Sequence, residues 1–258
     1  MPSLYFNLSF GVYFLAMVFY MGNLVFADKI LSSIARFCIS CAIISLSIYI
    51  GMRWQIAGRP PLSNMFESLV IFSWAIAAVL IFIDLKYKIK SIAVLVALMG
   101  LLSLGYASLL DKTIVPLLPA LKSNWLTIHV LTCFIGYAAL TVSFVSSVIL
   151  LFKQKEDKNL DTVTYKMITF GFLFLALGII SGAVWANSAW GTYWSWDPKE
   201  TWSLITWFIY AIYLHIRMRK GWKGRKAAWV SVIGFLAMLF TYFGVNYLLS
   251  GLHSYGSS

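Results

Sequence analysis

Eight apolar runs, each close to twenty residues or longer, leave this chain few ways to fold. They lie near residues 4–26, 32–52, 65–85, 90–110, 125–152, 166–187, 200–218 and 227–250. A helix rises about 1.5 Å per residue, so such a run is long enough to cross a hydrocarbon core of roughly 30 Å. Lipid satisfies no backbone N–H or C=O group, so a spanning run must close its hydrogen bonds internally, as a helix. The expected fold is all-α: a polytopic transmembrane bundle of about eight spans. Composition agrees, since 61% of the residues are hydrophobic and only 11% are charged, too few for a soluble domain. No repeat, low-complexity tract or soluble domain is visible, and residues 1–258 read as a single integral membrane domain.

The net charge of +11 does not point to nucleic acid, because the cations cluster in short loops between apolar runs. One alternate set of loops holds Lys29, Arg36, Lys86, Lys88, Lys90, Lys153, Lys155, Lys158, Lys166, Arg217, Arg219, Lys220, Lys223, Arg225 and Lys226. The other holds only Arg53, Arg59, Lys112, Lys122 and Lys199. The positive-inside rule puts the richer set in the cytoplasm, against anionic lipid. With eight spans, both termini are then expected on the outer face. The loops at 53–64 and 111–124 and the tail from Gly251 share that face. No basic segment precedes the first run, so a cleaved signal peptide is not expected.

The outer face also receives Trp190-Gly191-Thr192-Tyr193-Trp194-Ser195-Trp196-Asp197-Pro198-Lys199-Glu200-Thr201-Trp202. An interfacial belt spreads its tryptophans over many helix ends. Four tryptophans in thirteen residues instead suggest a platform for a large flat ligand, although a dense local belt has the same composition. The expected Trp-rich loop runs over 185–202.

Histidine is scarce: His129, His215 and His253 are the whole set. Neutral imidazole is an iron ligand. His129 falls about one turn inside the outer end of the fifth run, and His253 just beyond the outer end of the eighth. Both lie at the depth of the Trp-rich loop, and two imidazoles flanking an aromatic platform are what a bis-His haem requires. His215 is sixteen residues past Lys199, roughly 24 Å deeper at 1.5 Å per residue, and cannot share that iron. An ionisable residue inside a span is a functional candidate, and a helix-packing hydrogen bond is the alternative.

Several stretches together resemble the CcsA (ResC) family, a subunit of the System II cytochrome c synthase. They are Pro61–Leu69, Ser123–His129, Gly182–Trp207, Tyr213-Leu214-His215 and Gly244–Gly256. The run from Trp190 to Trp202 resembles the WWD signature of haem-handling membrane proteins. Its continuation Asp197-Pro198-Lys199-Glu200 favours CcsA over the CcmC and CcmF relatives.

The resemblance implies that His129 and His253 ligate haem b at an outer site beside Trp190, Trp194, Trp196, Asp197 and Trp202. It implies that His215 is the transmembrane histidine through which haem is taken up. It implies a separate CcsB/ResB-type membrane subunit, apocytochrome c as co-substrate, and a thioredoxin-like thiol reductant as a further partner. The activity implied is haem lyase: joining haem vinyl groups to Cys-x-x-Cys-His thiols. The location implied is a bacterial cytoplasmic membrane or, for a plastid-encoded chain, the thylakoid. Delivery of haem without catalysing its attachment is the alternative reading. An electron-transfer subunit is disfavoured, because such bundles need histidine pairs at matching depths within spans.

Within that frame Asp197 is expected to orient the loop by hydrogen bonds rather than act as an acid or base. Lys199, Lys122, Arg53 and Arg59 are candidates for the haem propionates, with interfacial snorkelling as the alternative for each. Cys38-Ile39-Ser40-Cys41 lies in an apolar run with no following histidine and reads as packing. Glu67 either orients the adjacent loop or approaches the cavity.

Overall fold

The computed structural model describes residues 2–114, 116–117, 121–153 and 157–249. Among the described residues the chain is helical and carries no strand. The helices are α1 (Pro2–Phe26), α2 (Lys29–Ala57), α3 (Met65–Tyr87), α4 (Lys90–Ser108), α5 (Asn124–Phe152), α6 (Lys158–Trp190), α7 (Pro198–Lys220) and α8 (Gly224–Leu239). A five-residue π turn over Phe240–Gly244 follows, then the short α9 (Val245–Leu248).

Seven of these, with α8 to α9 taken as one, are long and apolar enough to cross a membrane. The expected all-α membrane fold is therefore what the chain adopts. The exception is α7. At 23 residues it is long enough, but Lys199, Glu200, Arg217, Arg219 and Lys220 crowd its ends and Trp, Tyr, Ser and Thr dilute its middle.

The helix ends follow local chemistry. Asp28 accepts from Ile30 N at 2.7 Å, Asn64 from Glu67 N at 2.8 Å, and Asp157 from Asn159 N at 2.9 Å, each satisfying a first-turn donor. Lys153 donates to the Asp157 carboxylate at 2.7 Å, and this bond holds that carboxyl below its usual range. Gly58, Gly191 and Gly221 end α2, α6 and α7 in the left-handed region. Helix formation therefore starts at Lys158, inside the expected basic loop, because Asp157 caps there.

The chain divides into two compact units, residues 1–116 and 117–258. No linker or shift in composition marks this boundary in the sequence. The first unit packs α1 against α2 and α4, and α3 against α4. Tyr13, fully buried, fills the notch left by Gly100 on α4. Arg36, inside the second expected span, is explained by its partners: it donates to Asp84 on α3 at 3.4 Å and to Ser32 at 2.8 Å. Tyr20 donates to the same Asp84 at 3.3 Å.

At the other end of α2, Glu67 receives Arg53 Nε at 2.8 Å and Arg59 Nη1 at 3.0 Å, and all three side chains are buried. Ser63 N adds a third bond to Glu67 at 2.9 Å. Arg53 also donates to the Lys112 carbonyl at 2.9 Å. Of the two roles open to Glu67, this geometry matches the orienting one, since it ties together the segments at 58–64 and 112–113.

In the second unit α5 and α6 run in the tightest contact. A Cβ on Gly171 would stand 3.0 Å from the Gly136 carbonyl, so the two backbones meet there with nothing between them. α8 packs on α5 and α7, with Gly234 receiving the Tyr210 ring.

Candidate functional site

The candidate site is built where α5 starts, α6 ends and α7 starts. His129 lies on α5, which begins at the Ser123 cap, where the hydroxyl accepts from Trp125 N at 3.2 Å. Its imidazole faces α6 at a point where that helix has no side chain. A Cβ on Gly182 would lie 2.6 Å from His129 Nδ1 and 2.8 Å from Cε1, so only glycine leaves the ring its place.

His129 Nδ1 lies 2.7 Å from the Gly178 carbonyl oxygen. A carbonyl only accepts, so Nδ1 carries a proton, and in the neutral ring Nε2 holds the lone pair. This is the arrangement that a metal-binding histidine needs: one nitrogen anchored, the other basic, and the ring plane fixed. Cys133 Sγ sits 3.8 Å from Nδ1, and a Cβ on Gly178 would meet that sulfur at 2.5 Å.

Trp185 is buried, and its ring lies nearly parallel to the imidazole, with centroids 6.2 Å apart at 17°. Trp190 meets Trp185 edge-on at 4.7 Å. Both stand on the last turns of α6, so the Trp-rich loop proper is shorter than the expected 185–202 and runs from Gly191 to Asp197. Gly191 (φ 77°) breaks α6, and the Asp197-Pro198 pair starts α7.

Trp194 and Trp196 meet edge-on at 5.9 Å within the loop. Trp196 is exposed and Trp194 half-buried. Trp202 packs on Phe240 at 4.2 Å, between α7 and the π turn.

Asp197 is buried as the N-cap of α7 and accepts from Lys199 N at 2.9 Å. Glu200 completes a capping box: one of its oxygens accepts from Ser195 N at 2.7 Å and Asp197 N at 3.3 Å. Lys199 Nζ donates to Asn246 Oδ1 at 2.9 Å, tying the start of α7 to α9. The π turn between α8 and α9 shifts the register there, and such turns are frequent at functional sites.

His215 is exposed near the C-terminal end of α7. It continues a stripe of exposed Ile205, Phe208 and Ile212 at helical spacing, while Thr206, Tyr210 and Tyr213 are buried. His253 lies outside the described residues. Among the described residues no three His, Cys, Asp or Glu side chains converge where they could hold a metal ion.

Among the proposed propionate partners, Arg53 and Arg59 are buried on Glu67 and do not snorkel. Arg53 spends further donors on backbone carbonyls. Lys122 is exposed. Cys38 and Cys41 are free thiols on α2.

Residues 62–253 match the profile of a family described as cytochrome C assembly protein. The cytochrome c biogenesis protein CcsA of Chlamydomonas reinhardtii is 42% identical over 242 residues, covering 87% of this chain and 69% of that protein. CcsA of Prochlorococcus marinus is 40% identical over 87% of this chain and 84% of its own length. CcsA of Trieres chinensis is 37% identical over 97% of this chain and 96% of its own length.

The chain belongs to the CcsA family.

A solved cytochrome c heme lyase, CcmF, has the same fold, with a TM-score of 0.76 over 97% of this chain and 47% of that protein. At 15% identity this likeness speaks for the fold alone. Against the CcsA reading of the sequence, the structure brings His129 together with Trp185 and Trp190, and gathers Trp194, Trp196 and Asp197 at the start of α7. It gives contacts to Gly178 and Gly182 beneath the imidazole, Trp185 beside it, Glu200 under the loop and Asn246 on Lys199; of these only Gly178 lies outside the stretches that carry the resemblance. Two of these signals are legible in a CcsA sequence. Gly178-x-x-x-Gly182 marks close helix approach, and Asp197-x-x-Glu200 is capping-box spacing.

Proposed function

We propose that this CcsA-family chain carries haem across its membrane, a bacterial cytoplasmic or thylakoid membrane. It then holds haem b, as substrate, at an outer site and presents it for attachment to apocytochrome c. His129 and His253 ligate the iron, and the tryptophans of 185–196 hold the porphyrin. A separate CcsB/ResB-type subunit completes the synthase. The observation that carries this reading is His129: anchored through Nδ1 on the Gly178 carbonyl, seated over Gly182, and parallel to Trp185.

The attachment asks little covalent chemistry of the protein. Each substrate thiol adds across a haem vinyl group. The sulfur bonds one vinyl carbon and the thiol hydrogen ends on the other, with no net oxidation. Holding thiol and vinyl in contact is the main contribution. The Cys-x-x-Cys-His histidine of the substrate displaces one of this chain's ligands, and a thioredoxin-like reductant keeps the two thiols reduced. His215 serves uptake. Its exposed position at the end of the Ile205–Phe208–Ile212 stripe supports this role, because an ionisable group on a membrane-facing surface calls for a covering partner.

The test is purification with the partner subunit co-expressed, followed by haem quantification and acid-acetone extraction of a co-expressed cytochrome c. Unaltered protein should carry haem and yield cytochrome whose haem resists extraction. His129→Ala should change the haem spectrum and lower the cytochrome yield, with partial recovery on adding imidazole. Bound haem that is delivered but stays fully extractable would favour carriage without attachment. An unchanged spectrum and yield in His129→Ala would remove His129 as a ligand.

A further inference from the structure

Trp196 is a bulky residue in a conformation that bulky residues avoid. Its φ is +59°, in the left-handed region, where a Cβ crowds the following carbonyl. No glycine supplies this bend, and the chain has a glycine only five residues earlier, at Gly191. Something must hold the backbone there.

The hydrogen bonds identify it. The N–H groups on either side of Trp196, from Ser195 and Asp197, both point at Glu200 Oε2, at 2.7 and 3.3 Å. The Ser195 hydroxyl joins them at 3.2 Å. Two backbone N–H groups separated by one residue converge on one acceptor when the intervening residue turns left-handed, which makes an anion-holding concavity. Here the anion is a side chain of the same chain. Glu200 is buried in the first turn of α7, where an acidic residue also suits the helix dipole. The helix that carries it is fixed by the Asp197 cap and by Pro198 at its first position.

The consequence is directional. With its backbone bent, Trp196 stands exposed and meets Trp194 edge-on at 88°. In an ordinary extended or helical conformation at residue 196, the indole would leave this position and the pair would come apart.

Resting on the reading of the loop as a haem platform, we infer that Glu200 is a positioning residue for the outer haem: its carboxylate locks Trp196 in the left-handed conformation and so sets the aromatic face before the ligand arrives. It touches neither iron nor porphyrin. Preorganisation of this kind removes the ordering of the loop from the cost of binding.

The experiment uses the chain purified with its partner subunit and reads haem retained per protein, the haem absorption spectrum and the thermal melt. Glu200→Ala should lower haem retention roughly tenfold, equivalent to one lost charge-assisted hydrogen bond. Glu200→Gln keeps one acceptor oxygen and the capping spacing, and should lose only about two- to threefold. A second measurement separates clamping from simple helix capping. Glycine adopts φ near +60° without strain, so Trp196→Gly removes what Glu200 holds in place. Glu200→Ala should therefore depress the melting temperature less in a Trp196→Gly background than in the unaltered chain.

An equal depression in both backgrounds overturns the clamp. So does unchanged haem retention in Glu200→Ala while His129→Ala alters the spectrum. If neither His129→Ala nor Glu200→Ala changes the haem, yet the melt coupling is present, the clamp stands and the haem reading of the loop fails.

Discussion

Replacing Gly182 by alanine puts the proposed iron ligand under a defined steric load. The new Cβ would stand 2.6 Å from His129 Nδ1 and 2.8 Å from Cε1, against the 3.4 Å at which ordinary contact begins. The ring must therefore retreat by about 0.8 Å, or α5 and α6 must part. The helices resist parting, because Gly136 and Gly171 already bring their backbones together about two to three turns along. The ring will move instead, and it cannot do so without straining the 2.7 Å bond from Nδ1 to the Gly178 carbonyl. Two energies oppose each other in the fold. Alanine gains up to about 1 kcal/mol of helix propensity over glycine. Overpacking costs about 1–3 kcal/mol. The net change in stability should be small, within about 2 kcal/mol. Haem affinity has no such offset, since disturbing an outer-shell anchor of a metal-binding histidine costs roughly 10–100-fold. The assay is haem per protein after purification with the partner, with a thermal melt alongside. Gly182→Ala should melt near the unaltered protein yet lose most of its outer-site haem. Full haem retention with an unchanged spectrum would refute the claim that the Gly182 notch seats a ligand.

Gly178→Ala should disturb the same pair of helices through Cys133, whose Sγ would lie 2.5 Å from the added carbon; Cys133→Ala in the same chain should recover most of the lost melting temperature. A double variant no better than Gly178→Ala alone would show that the clash is not with the thiol. Glu67→Ala leaves Arg53 and Arg59 buried without their shared carboxylate and should cost about 3–5 kcal/mol, read as a marked fall in melting temperature or in membrane-inserted yield. A melt within experimental scatter of the unaltered protein would contradict that assignment. Labelling of single cysteines introduced after Lys158 and after Gly224 should report the cytoplasmic side, and at Ser257 the outer side. A cytoplasmic Ser257 would separate His253 from the Trp-rich loop and end the bis-His proposal.

What the sequence made legible follows from the range of the forces involved. Span length, apolarity and all-α class rest on averages over some twenty residues, and these survive in the fold. Boundaries rest on single caps. Asp157 moved the start of α6 back into an expected loop, and Gly191 with Asp197 narrowed the Trp-rich loop to seven residues. Arg36 blurred the second run until its partner Asp84, 48 positions away, came into view. Arg53 and Arg59 stand in the sequence as candidates for haem propionates or for snorkelling, because nothing in their spacing announces Glu67 as a shared buried acceptor. The same limit applies to His129. Its depth was readable from its run, but the Gly178 carbonyl that sets its tautomer is 49 residues distant.

The arrangement around His129 also explains why glycine, not a larger small residue, sits at two points four apart on α6. A lipid-embedded helix pair gains little from hydrophobic burial, because lipid is as apolar as leucine, and gains instead from close approach. Gly178 and Gly182 allow that approach, but here it is filled by the thiol of Cys133 and the imidazole of His129 rather than by backbone alone. The bare turn leaves the Gly178 carbonyl open to a donor from α5 as well as its helical one, while the Ser181 hydroxyl, 3.1 Å from it, makes its shorter bond to the Leu177 carbonyl at 2.7 Å. Any side chain at 182 would cover the Gly178 carbonyl. The packing solution and the proposed ligand geometry are therefore one feature: the glycines that let α5 and α6 close together also provide the acceptor that turns Nε2 of His129 into the basic nitrogen.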